Sequence, residues 1–152
     1  MLHPEKIHII DFKITKGQIE SPFEFALRDI KGYGFETEYN LAFNVEEQLV
    51  KSRLHVVVTA DCEEQTLGTA QGLFELNFVY HIENLPDLIE KEGEQLTIDA
   101  GLSNALASIT YSTTRGILMT RFQGTSLANF ILPVIDPNQL AQGQASNVSN
   151  KD

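Results

Sequence analysis

The sequence predicts an α+β fold: a four-stranded antiparallel Greek-key sheet with one long and one short helix packed on one face. Three observations lead there. Four segments in the first two-thirds of the 152-residue chain alternate apolar and polar side chains, the mark of strands with one buried face. Residues 98–122 are long enough for about seven turns of helix, yet carry only three charges, on Asp99, Arg115 and Arg121. The link between the first two strand segments is too long for a hairpin, so those strands are not expected to be sequence-adjacent neighbours in the sheet.

Taken in order, KIHIIDFKIT places Ile10, Phe12 and Ile14 on one face, with Asp11 and Lys13 opposite. The crossover GQIESPFEFALRDIKGYG follows, bounded by Pro22, Gly32 and Gly34 and carrying Phe23, Phe25, Leu27 and Tyr33. Gly32 and Gly34 read as a loop hinge. In GFETEYNLAFNVE the apolar row is Phe35, Tyr39, Leu41, Phe43 and Val45. In SRLHVVVTAD it is Leu54, Val56, Val58 and Ala60, and in TAQGLFELNFVYHI it is Phe74, Leu76, Phe78, Tyr80 and Ile82, with Gly72 read as a bulge or bend. The polar turns Glu46–Lys51 and Asp61–Thr66 make these strands antiparallel neighbours.

One greasy sheet face needs a cover, and the segment after Thr97 supplies it. Thr97 or Asp99 is the N-cap. Ile98, Leu102, Leu106, Ile109 and Ile117 form a stripe for the sheet. A second row, Asn104, Ser108, Ser112 and Gly116, repeats every four residues and is small and uncharged. Rows of that spacing interlock when helices cross, so the row is read as an interface with another copy of the chain. The alternative is that the 83–97 loop or the C-terminal segment covers it. The segment LANFILPVIDPNQL is apolar, extended and broken by Pro133 and Pro137, with a short helix starting at Asp136 or Pro137. Residues 1–140 form a single domain on this reading, and 141–152 a polar, disordered tail.

Composition narrows the function. Net charge is −10; residues 1–99 hold 8 basic and 19 acidic side chains, residues 100–152 only 3 and 2. That disfavours nucleic acid or an anionic membrane as a partner. No apolar run reaches the length of a membrane span, no secretory signal is visible, and the single cysteine, Cys62, fits a reducing cytoplasm. Catalytic signatures are missing: there is no G-x-S-x-G, H-E-x-x-H, C-x-x-C or Walker loop, so neither enzyme activity nor a cofactor is expected. Cys62, flanked by Asp61, Glu63 and Glu64, is a poor thiolate. His55 and His81 with Glu75 are a weak metal candidate beside the plainer reading of surface histidines. The crossover aromatics are the distinctive feature. They either line a groove that binds extended polypeptide by burying side chains, or fill the core beneath the crossover.

The run IDFKITKGQIESP resembles the opening of the SecB protein-export chaperones, whose first strand ends Lys-Asp-Ile-Ser-Phe-Glu-x-Pro. Lys16, Ile19, Glu20 and Pro22 match it, one residue short. Tyr111, Arg115 and Gly124 followed by Leu132-Pro133-Val134 resemble that family's long helix and its Arg-Gly-Thr…Leu-x-Pro-Val-Asn segment, so the similarity spans roughly residues 7–140. The resemblance implies an ATP-independent, cytoplasmic holding chaperone for non-native polypeptides, assembled as a dimer of dimers with its long helices sandwiched between sheets. It implies client-binding residues at Phe23, Phe25, Tyr33 and Phe35, and an export-motor contact at Glu20. The family's other motor-docking acids are replaced, by Gly17 and, on the fourth strand, by Gly68; the tail lacks acids as well. Two rivals stand beside this reading: the same fold dedicated to one client such as an antitoxin, and a small-ligand or enzymatic domain.

Overall fold

The alternating segments pair into one sheet because each has an apolar row that water excludes. A computed structural model of the chain describes residues 2–23, 27–62 and 70–142. Strands β1 (Ile7–Glu20), β2 (Ile30–Asn44), β3 (Leu49–Cys62) and β4 (Gln71–Ile82) form an antiparallel sheet in the order β1-β4-β3-β2. Strands β2, β3 and β4 follow one another as a meander, and β1 returns beside β4, the Greek-key arrangement. A small hairpin, β5 (Ile89–Glu92) and β6 (Gln95–Ile98), turns at Gly93, whose φ of 63° suits glycine. Helix α1 (Ala100–Arg121) and the short α2 (Pro137–Gln142) complete the order. Residues 143–152, most of the expected tail, lie outside the described residues.

Several local expectations are corrected. Strand β1 runs to Glu20 and β2 begins at Ile30, so Gly17, Gly32, Gly34 and Tyr33 are strand residues rather than loop residues. Two register shifts in β1, between Ile9 and Asp11 and between Ile14 and Lys16, each add one residue against β4. They put Ile9 and Phe12 opposite Tyr80 and Phe78, so Ile9 takes the helix-side place expected of Ile10. Gly72 is no bulge: its pairing is regular, and its missing side chain admits the Phe122 ring, which would sit 2.9 Å from an added Cβ. Residues 83–97, read as a loop, contain β5 and β6.

Asp99 caps α1, its carboxylate accepting the Leu102 N–H at 3.1 Å. Leu102, Leu106 and Leu118 are essentially inaccessible, and burial of such side chains is worth about 1.5–3 kcal/mol each. The stripe is nevertheless rotated from the one the apolar spacing marks out. Thr110 and Thr114 are fully buried, Ile109 and Ile117 only partly so, and Ile98 belongs to β6. The rotation follows from hydrogen bonding. The Thr110 hydroxyl meets Ser52 Oγ of β3 and the Tyr80 hydroxyl of β4, each at 2.8 Å, while Thr114 Oγ1 donates to the Thr110 carbonyl at 2.7 Å. The Tyr39 hydroxyl is buried in the same cluster without a well-formed hydrogen bond. Desolvation pushes the Tyr80 phenol up to about 12 and raises that of Tyr39 as well.

Two outcomes follow from this packing. Gly72→Ala drives a methyl into Phe122 and Leu127, and chemical denaturation should show a loss of about 1–3 kcal/mol; an unchanged midpoint would contradict the close approach. Tyr80 has a folded-state pKa raised above its ordinary 10, so its contribution is complete below pH 10 and is lost as pH rises toward about 12. Denaturation midpoints should therefore fall across that window, with phenolate absorbance rising late and together with unfolding. Early, separate ionisation of all four tyrosines would contradict it.

Candidate functional site

At one end of β2, alternate side chains face the helix side of the sheet, and Tyr33 and Phe35 occupy two successive positions on that face. Both rings lie against Phe130, with centroids 5.6 and 5.9 Å away, and Phe130 in turn meets Phe122 at 6.3 Å. The Tyr33 hydroxyl donates to the Ser126 carbonyl at 3.1 Å, and its pKa is raised by burial. Ser21, at the start of the crossover, accepts the Ser126 N–H and bonds its hydroxyl, both at 2.9 Å. The turn after α1 is thus tied to the end of β1 and to β2.

Three apolar side chains of this stretch are open to solvent. Phe23 is 99% exposed, Leu27 46% and Phe35 37%. Phe23 therefore fills no core, whereas Tyr33 is half-buried within the aromatic cluster. Phe25 lies outside the described residues. The sequence-chosen residues Tyr33 and Phe35 come together; Phe130, the ring that joins them, was missed. Its signal was the alternation of Phe130 and Leu132 within an extended apolar segment.

The second candidate surface is α1. The small row does not face one environment. Asn104 donates to Asn138 of α2 at 2.7 Å, Ser108 is half-buried, and Ser112 and Gly116 are exposed. A Cβ added at Gly116 would meet nothing within 4 Å. The C-terminal segment thus covers one end of the row and leaves the other open. Beside Gly116 a groove of 420 Å³ runs between α1 and β1, lined by Phe12, Ile14, Ile117 and Thr120. Because α1 sits over β3 and β4, Ile9 and Phe12 on the helix side of β1 remain 52% and 38% exposed. Met119, 42% exposed, adds apolar area on α1 itself.

The outer face of the sheet carries Glu20, which is exposed and paired in register with Gln71. Gly68 lies outside the described residues, while the fourth strand does place an acid on this face at Glu75. That acid is engaged. Partial burial works against its ionisation, but a Thr15 hydrogen bond and the charges of Lys16, 3.7 Å away, and Arg53, 4.0 Å away, hold its pKa below the ordinary value. His55 and His81 do not meet: His55 pairs with Glu38 and Glu75, His81 with His8 and Leu49. Among the described residues, no three His, Cys, Asp or Glu side chains gather as a metal site, and no helix is long and apolar enough to cross a membrane.

No family model matches the sequence, and no curated protein is similar to it at a significant level. Solved structures do match. One is the SecB-like chaperone Rv1957 of Mycobacterium tuberculosis, in complex with a ChAD peptide from the Rv1956 HigA1 antitoxin. It superposes with a TM-score of 0.61 at 12% identity, over 86% of this chain and 91% of that one. This chain has the SecB-like α+β fold: a four-stranded antiparallel sheet with one long and one short helix.

Proposed function

We propose that this chain is an ATP-independent holding chaperone that binds non-native polypeptide at the aromatic cleft of Phe23, Phe25, Tyr33 and Phe35. The observation that carries the reading is the exposure of Phe23 and of Phe35, the latter part of a ring cluster with Tyr33 and Phe130, in a fold shared with a chaperone solved with a bound peptide. Exposed rings gain about 1.5–3 kcal/mol for each large apolar side chain they help to bury, and a cleft poor in directional polar groups accepts many sequences. The contacts that the described residues make here are between rings, hydroxyls and main chain. The single cysteine and the acid excess suit a cytoplasmic, soluble role.

Self-association belongs to the same proposal. The open half of the small row, Ser112 and Gly116, adjoins the apolar groove of Phe12 and Ile117. A second copy pressed there would bury Ile9, Phe12 and Met119, giving a dimer or tetramer. Glu20 is the residue through which an export motor would dock; Gly17 leaves that surface short of an acid. A second reading, dedication to one client such as an antitoxin, is favoured by the antitoxin peptide in the neighbouring structure.

The chain should suppress aggregation of a chemically unfolded model protein at near-stoichiometric ratios without nucleotide, and Phe23→Ser with Phe35→Ser should lose most of that protection while melting as the parent does. Equal protection by the double variant would remove the cleft from the account. In light scattering coupled to size exclusion, the parent should run as a multiple of 17.0 kDa. Ser112→Glu with Gly116→Glu should run at the single-chain mass, with helix stability raised by about 1 kcal/mol at the former glycine. A parent that is monomeric at micromolar concentration would end the self-association claim. Affinity capture with tagged protein then separates many faint clients from one stoichiometric partner.

A further inference from the structure

Residues 129–136 link the turn after α1 to α2 without helix or strand, and the segment is held in an unusual way. Over positions 130–132 burial alternates: Phe130 and Leu132 are 6% and 2% exposed with Ile131 at 54% between them, and after Pro133 the chain turns outward, Val134 being 88% exposed. Among the described residues, positions 131–135 make no hydrogen bond from main chain to main chain. Side chains of α1 capture the segment's carbonyls instead. The Tyr111 hydroxyl donates to the Pro133 carbonyl at 2.6 Å. Arg115 donates from Nε to the Leu132 carbonyl at 2.9 Å and from Nη2 to that of Pro133 at 3.3 Å. The Arg115 guanidinium lies 5.2 Å from the centre of the Tyr111 ring, an arrangement that stabilises both partners. Pro133 has no N–H to offer a ladder.

Alternate apolar side chains inward and carbonyls caught from the side is how a cleft holds an extended peptide without reading its sequence. The inward ring, Phe130, rests on Tyr33 and Phe35, the aromatic pair assigned above to the client. We propose that residues 130–135 are an internal occupant of the client cleft, a strap that a client displaces, with Tyr111 and Arg115 as its latch. This rests on the chaperone reading of the same cleft. Strap closed, the cleft offers Phe23 and the partly exposed Phe35; strap released, it offers Tyr33, Phe35 and the apolar floor under Phe130 and Leu132. The fraction of molecules with the strap released then scales the apparent client affinity.

The test is side-chain NMR of the full chain: the Phe130 ring and Leu132 methyl signals, whose shifts are set by the groups they pack on, are followed with and without reduced, carboxymethylated α-lactalbumin as the client probe. The probe should move both toward the positions of an unstructured peptide. Tyr111→Phe, which removes one hydroxyl and keeps the ring, should raise the released fraction read from these signals about fivefold without the probe, the factor set by one hydrogen bond, and tighten probe binding by a similar factor. Arg115→Ala should do both more strongly. A probe that binds the parent yet leaves the Phe130 and Leu132 signals unmoved would overturn the strap, as would latch variants that bind it no better than the parent. A probe bound by none of the three proteins would instead overturn the chaperone reading, and the strap's role as competitor with it.

Discussion

Burying hydroxyl groups between a sheet and a helix is unfavourable by several kcal/mol unless they find one another, and here the Thr110 hydroxyl finds two. It joins Ser52 on β3 to Tyr80 on β4, all three residues being fully buried. A helix packed by leucines alone could slide or roll at modest cost, since apolar contact is non-directional. The hydroxyl cluster removes that freedom. It sets the rotation of α1, and the rotation decides which helix residues are spent on the sheet and which remain for anything else.

With α1 so fixed, the two candidate surfaces follow. Its Tyr111 and Arg115 point along the flank where the C-terminal segment passes, and pin that segment by its carbonyls. The segment delivers Phe130 to the rings of β2, and Ser126 ties the same turn to Ser21 and Tyr33. On the opposite flank Gly116 and Ile117 face β1 across an open groove. Strand β1 bends through two bulges, and its helix-side residues are left half in water. One buried contact therefore organises an aromatic cleft on one side and an apolar groove on the other.

Much of this was legible in the sequence. Alternation over Leu54–Ala60 and Phe74–Ile82 located the core rows of β3 and β4, and the long crossover implied that β1 and β2 are not neighbours. Tyr33 stands out because aromatic residues crowd the crossover, and Phe35 joins it only through the resemblance to the SecB chaperones. The errors share a cause: information carried by partners distant in the chain. Nothing local says that Ile9 rather than Ile10 faces inward, because the bulge is defined only by pairing with β4. Apolar spacing pointed the helix at Ile109 and Ile117, whereas the buried choice was Thr110 and Thr114, threonines whose value depends on Ser52 and Tyr80. Gly72 looked like a bend because its reason, the Phe122 ring, lies fifty residues away.

Non-native polypeptide is proposed to settle on the ring cluster at the end of β2. Aromatic NMR resonances followed while an unfolded polypeptide is titrated in would address it directly. Shifts and broadening concentrated at Tyr33, Phe35 and Phe130, with Tyr39 and Tyr80 in the core unmoved, are the predicted result. Perturbation confined to the outer sheet face or to the α1–β1 groove, with those three rings silent at saturation, would contradict it.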